Sequence, residues 1–259
     1  MRESLYPSLY QINTRVWLTE LSLSLGRPAT LDDIPDADLD HVASMGFGWV
    51  WFLSVWRTGP AGQSVSRQSR VWRKDFQETL PDLREEDIAG SGFAITGYTA
   101  HPGLGGDAAL ARLRQRLSAR GLRLMLDFVP NHTALDHPWV EDHPEYYVTG
   151  REFELARAPQ NYTWVKRSQG DLLLAHGRDP YFPGWPDTLQ LDYSNQATQG
   201  CDDGRAAEDR RPVRRGALRY GYAGPTGCLR ADVGTPSTVV LAKCDPARAR
   251  AIPRLSLHG

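Results

Sequence analysis

The 259-residue sequence has only three cysteines, no long apolar run and no excess of charge of one sign. Each lack excludes something. Cys201, Cys228 and Cys244 show no paired spacing, which argues against a disulfide framework and against a zinc site. The longest uncharged apolar run, Gly46 to Leu53, is far too short to cross a bilayer. The opening MRESLYPSLYQIN carries charge without an apolar h-region, so a cytoplasmic protein with no membrane partner is expected. With 30 basic and 31 acidic residues the formal charge is −1, which supplies no field for nucleic acid. Glycine-rich phosphate loops and zinc-protease motifs are missing as well.

What is present is unevenly spread. From Gly200 onward there are 11 Lys and Arg against 6 Asp and Glu, and the three cysteines all lie there, whereas all eight tryptophans and all seven phenylalanines precede it. Two differently composed segments are joined. In the first, SLYQINTRVWL at 8–18 alternates partly and reads as a strand. Asp36 can cap a helix with Leu39, Val42 and Met45 at three-residue spacing, stopping at Gly46, and FGWVWFL at 47–53 reads as a parallel strand covered on both faces. The unit repeats with Asp107, a helix bearing Leu110, Leu113 and Leu117, a stop at Gly121 and a strand over 122–129.

Helices alternating with buried strands predict a parallel α/β sheet whose function lies in the loops after its strands. The stretches 54–106 and 130–190 are long and rich in Trp, Tyr, Gly and Pro, which predicts ordered excursions. About three strands fit before residue 199, whereas a closed eight-stranded barrel takes roughly 250 residues. The chain stops short of closing one.

The most informative stretch is LDFVPNH at 126–132, where a strand delivers Asp127 near its end and turns out through Pro130, Asn131 and His132. By themselves these residues fit a capped turn and a surface histidine as well as a site. His132, His137 and His143 are spaced as loop residues, not as zinc ligands. Trp139, Trp164 and Trp185 fit a small core of the inserted segment, and Arg112, Arg114, Arg116 and Arg120 a solvated helix face.

Asp127-Phe128-Val129-Pro130-Asn131-His132 resembles the first signature of the α-amylase family of glycoside hydrolases. The likeness extends over 8–195, through YQINTRVW, WVWFLSVWRTG, the Gly97-Tyr98 loop and LQLDYSN at 189–195, where Gln190 and Asp192 match the family's Gln-x-Asp motif. It implies an incomplete TIM (β/α)8 barrel limited to its first three strands, with a domain-B-like insertion after the third. The divisions implied are 1–130 for the partial barrel, 131–195 for the insertion and 196–259 for a disordered, out-of-frame tail. It further implies that Tyr98 stacks on the sugar at the cleavage point, that His132 donates to a hydroxyl of that sugar, and that Asp127 and Asp192 support the site. Asn131 matches the family's calcium ligand, with a turn-closing role as the alternative. The implied substrate is an α-glucan or maltooligosaccharide.

The family's retaining route needs two carboxylates about 5 Å apart. Its nucleophile motif Gly-x-Arg-x-Asp, its acid/base glutamate and its later His-Asp pair are not found in this sequence, and Arg230-Ala231-Asp232 has the wrong spacing. Re-reading the codons for 213–223 one nucleotide downstream permits Cys-Asp-Gly-Val-Arg-Cys-Asp-Met-Ala-Met-Leu, which contains that nucleophile motif. The expectation is therefore a truncated α-amylase-type enzyme, inactive as written because its reading frame slipped. A non-catalytic or vestigial carbohydrate-binding fragment is the alternative.

Overall fold

In a computed structural model of the protein, which describes residues 7–199, Leu9–Asn13 forms strand β1 and the chain passes directly into helix α1, Thr14–Leu25. The strand expected over 8–18 therefore ends at Asn13. Its side chain accepts the Val16 N–H at 3.4 Å and so caps a helix, along which Leu18 is buried while Trp17 and Leu21 pack on the core. Helix α2, Asp36–Ser44, follows Pro35, so Asp36 is its first residue and not its cap, and Met45 is exposed where a third core contact was expected. Strand β2 is Trp49–Leu53. After a long excursion, helix α5 (Gly106–Ala119) leads into strand β5 (Arg123–Leu126). The expected stops, Gly46 and Gly121, both have positive φ, 82° and 75°.

The three strands form one parallel sheet in the order β1-β2-β5. Ile12, Phe52 and Leu126 share one row and Tyr10, Val50 and Leu124 the next. These rows join Leu39, Val42, Leu110, Leu113 and Leu117 in one cluster, which shows why the helical apolar positions recur at three and four residues. The opposite face is less covered than expected. Leu9, Gln11 and Asn13 are exposed, and Trp49, Trp51 and Met125 are only half-buried. Among the described residues, β1 and β5 are the edges of this sheet.

The arginines of α5 are not merely solvated. Arg112 pairs with Asp32 at 2.6 Å, Arg116 with Asp36 at 2.8 Å, and Arg120 with Asp40 at 2.6 Å. Four-residue spacing on both segments aligns three acids with three arginines, a ladder that ties α5 to the turn at Leu31–Asp33 and to the first half of α2. Because the pairs are exposed, Asp36→Asn is expected to lower the thermal midpoint by a few degrees at most, with the difference fading at high salt. A melting series in sodium chloride checks this.

The two long stretches are ordered, as expected. The first holds β3 (Trp56–Thr58), α3 (Pro60–Gln68), α4 (Arg70–Thr79) and β4 (Ile95–Ala100), with β3 antiparallel to β4. The second holds β6 (His132–Ala134), α6 (Trp139–Asp142), α7 (Glu152–Arg157), β7 (Tyr162–Val165), β8 (Leu172–Ala175) and β9 (Thr188–Gln190), with antiparallel pairs β6–β9 and β7–β8. Its buried Val140, Tyr146, Tyr147, Leu174, Leu189 and Leu191 make a second cluster against which Trp139 packs. Trp164 is instead half exposed.

Residues 196–199 form a helical turn with Thr198 buried. The rest of the tail reading, with its frame slip, its cysteines and Arg230-Ala231-Asp232, lies outside the described residues.

Candidate active site

Asp127 lies immediately after β5, at the carboxyl end of the parallel sheet, where barrel folds assemble their sites. It is buried and joins three pieces of chain. Its Oδ1 accepts the Trp51 indole N–H at 2.9 Å, its Oδ2 the Ser54 backbone N–H at 2.6 Å, and its carbonyl the Trp56 indole N–H at 2.7 Å. Burial raises its pKa, opposed by the bonds from Ser54 and Trp51. Ser54 reaches this carboxylate with φ at 62°, an uncommon conformation for a non-glycine residue that costs of order 1 kcal/mol. The loop over it closes at Gly92, where any Cβ would collide with the Ser54 side chain. Asp127 thus positions strand ends.

Tyr98, on β4, is half-buried over the same strand end. Its hydroxyl accepts the Val129 N–H at 2.8 Å, its ring stacks on Phe128 with centroids 5.9 Å apart, and Trp56 meets it edge-on at 5.4 Å. Asp127 and Tyr98 are therefore brought together through Trp56 and Phe128.

His132 is buried and lies on β6 instead of in a loop. Its Nδ1 is 3.2 Å from the Asn131 amide nitrogen, Trp185 meets its ring edge-on at 5.3 Å, and it has a backbone hydrogen bond with Phe93. Burial lowers its pKa to about 4, opposed by the Phe93 contact. A neutral imidazole results, able to donate one N–H. His137 and His143 are elsewhere occupied, the first accepting the Trp139 N–H and the second stacked on Tyr146.

Gln190 closes this shelf. Its Nε2 donates to the Asn131 carbonyl at 2.8 Å and to Asn131 Oδ1 at 3.0 Å, while its Oε1 accepts the Arg178 N–H at 3.1 Å. Asn131 therefore spends its amide oxygen within the protein, and among the described residues no three His, Cys, Asp or Glu converge as metal ligands. Calcium takes six to eight oxygens, and the one amide oxygen of Asn131 already accepts a hydrogen bond from Gln190. Asp192 accepts the Ser194 N–H at 2.9 Å and its hydroxyl at 2.7 Å, an Asx-type turn.

Two buried groups escaped the sequence reading. His176 bonds the Thr188 carbonyl through Nδ1 at 2.9 Å, and burial lowers its pKa; burial raises that of Asp187, which the His176 charge opposes. No periodicity marks either residue.

The alpha-amylase catalytic-domain family matches residues 36–177, more than half of the chain. The chain belongs to the α-amylase family. Over 126 residues this family member is 32% identical to an α-1,4-glucan:maltose-1-phosphate maltosyltransferase of Cereibacter sphaeroides, a match covering 47% of this chain and 17% of that protein. An α-amylase of Lactobacillus plantarum shares its fold at a TM-score of 0.50 and 20% identity, over 78% of this chain and 35% of that one. An isomaltulose synthase of Klebsiella sp. LX3 does so at 0.51 and 17%, over 80% and 34%. The chain thus spans under a fifth of the curated relative and about a third of each solved structure. The α-amylase family fold is the β/α barrel, of which β1, β2 and β5 supply parallel strands. No described helix is long and apolar enough to cross a membrane.

Proposed function

We propose that this chain is the amino-terminal, substrate-binding part of an α-amylase-type glycosidase or transglycosidase that acts on α-glucosidic bonds of starch-like glucans or maltooligosaccharides by the retaining route. The observation that carries the reading is the convergence of Asp127, Tyr98 and Trp56 at the carboxyl end of a parallel strand, within the family's own signature. On this reading the first three barrel strands run to about residue 130 and the inserted segment follows to 195. The half-covered face of β1, β2 and β5 is the barrel interior, which the remaining strands would cover.

Each residue has a distinct part. Tyr98 presents an aromatic edge and face to a pyranose ring. His132, held neutral, is the group assigned to a sugar hydroxyl, and Gln190 with Asn131 keeps that histidine in place. Asp127 sets the strand ends and performs no bond-breaking step. Double displacement requires a pair of carboxylates, and no charged partner perturbs Asp127. The reactive pair is assigned to sequence that a slipped frame has replaced after Asn195. Hydrolysis and transfer use the same carboxylates, and the maltose-1-phosphate donor of the maltosyltransferase relative makes transfer to a glucan a natural member of the class.

The test is calorimetric binding of maltoheptaose to the 259-residue chain. Tyr98→Ala is expected to weaken it about tenfold, the scale of one lost aromatic contact, with no turnover in either form. Unchanged affinity would remove Tyr98 from the site, and turnover by the unaltered chain would show that its carboxylates are present after all. A purely binding role is the second reading, favoured by the isolation of Asp127. Sequencing the coding DNA past Asn195 separates the two, because only a slipped enzyme gene spells the nucleophile motif in the shifted frame.

A further inference from the structure

The loop between β8 and β9 holds two large aromatic side chains out in solvent. Tyr181 is 93% exposed and Phe182 61% exposed, side by side between Pro180 and Pro183. Both ends of this loop are fixed. Gly177 and Trp185 form an antiparallel bridge in which the Trp185 N–H donates to the Gly177 carbonyl at 2.8 Å, while the Arg178 N–H donates to Gln190 Oε1 at 3.1 Å and the Gly184 N–H to Asn161 Oδ1 at 3.0 Å. At the tip the Phe182 N–H bonds back to the Asp179 carbonyl at 3.1 Å, a turn that the flanking prolines stiffen by fixing φ. The base is closely packed: a Cβ at Gly177 would come within 2.7 Å of His132 Cβ, and one at Gly184 within 2.6 Å of His176 Cβ.

The anchors of the loop are groups of the candidate site. Gln190 is the clamp on Asn131, and the Trp185 ring meets His132. Tyr181 stands four residues before Trp185, so their Cα atoms are no more than about 14 Å apart. Phe153 and Trp164, the other exposed aromatics of the second long stretch, stand singly on α7 and β7. We propose that Tyr181 and Phe182 form an aromatic platform that receives the part of an α-glucan lying beyond the sugar at Tyr98, so that this loop sets a preference for longer chains. An aromatic face covers the apolar face of a pyranose ring, and a loop already stiff before binding lowers the ordering cost. Two rings offer at most roughly 500 Å², short of the surface of about 800 Å² that each partner contributes to a stable protein interface. That favours a slender chain over a second protein. The identity of the chain rests on the function proposed above; the platform rests on the geometry of the loop.

Calorimetry on the 259-residue chain compares maltotriose with maltoheptaose. The unaltered chain is expected to bind maltoheptaose about tenfold tighter, the scale of two added aromatic contacts. The double variant Tyr181→Ala/Phe182→Ala, at exposed positions, is expected to abolish that preference and leave maltotriose affinity unchanged. Tyr181→Phe keeps the ring and is expected to keep the preference. A preference that survives the double variant would overturn the platform. Sedimentation velocity examines the other occupant: self-association that the double variant abolishes, with the sugar preference intact, assigns the rings to a contact between copies and overturns the platform too. Equal affinity for the two sugars in the unaltered chain sinks this inference alone, whereas binding of neither sugar sinks the function proposed above and this inference with it.

Discussion

Asp127→Ala lowers the unfolding free energy by about 3 kcal/mol, because it removes the buried acceptor of both the Trp51 indole and the Ser54 amide, each worth roughly 1 to 3 kcal/mol when its acceptor is lost. Ser54 is the more sensitive of the two, since its positive φ persists only while the carboxylate draws its N–H inward. Asp127→Asn keeps one carbonyl oxygen and is expected to cost about half as much. The two substitutions also separate charge from hydrogen bonding. Burial holds the Asp127 carboxyl above its unfolded value, so the wild-type carboxylate loses stability as the pH rises from the unfolded value through the folded one, and Asp127→Asn loses that slope. Urea unfolding followed by tryptophan fluorescence measures both. An alanine variant within about 0.5 kcal/mol of wild type would mean that the β2 and β5 ends are held by something other than this carboxylate.

Acidification is the second large effect. His132 takes its proton at about 4 in the folded protein and near 6.5 when unfolded, so its contribution is complete above pH 6.5 and disappears as the pH falls toward 4. Two to three pKa units correspond to roughly 3 kcal/mol. His176, lowered by burial in the same segment, acts in the same direction. His132→Gln is expected to flatten the stability profile between pH 7 and 4 by about that amount relative to wild type. Proton NMR gives an independent reading: the His132 ring resonances should stay unchanged until the pH nears 4. A ring that titrates near 6.5 would falsify the burial on which the neutral donor depends.

How much was legible beforehand differs from element to element. Continuous apolar stretches at 47–53 and 122–129 announced parallel strands, and the spacing of Leu110, Leu113 and Leu117 announced α5, because both signals are carried by neighbours in the chain. The boundary at Asn13 was missed since TRVWL suits either a strand or a helix, and only burial of Leu18 decided it. The arginine face of α5 was visible but not its partners, which stand 80 residues away in sequence. Asp127 and Tyr98 were singled out through the family resemblance, and the structure places both at the carboxyl end of the parallel sheet. Gln190 was legible as a motif member, although its clamp on Asn131 was not.

By itself the sequence determined the helix and strand alternation and the family, since these depend on local periodicity and on a short ordered motif. Tertiary structure alone decided which donors meet Asp127 across 71 to 76 residues, that His132 is buried and neutral, and that the acids of 32–40 face the arginines of α5. The reason is physical. Hydrogen bonding, desolvation and charge pairing depend on distances through space, and a linear pattern constrains those distances only after the strands have found their register.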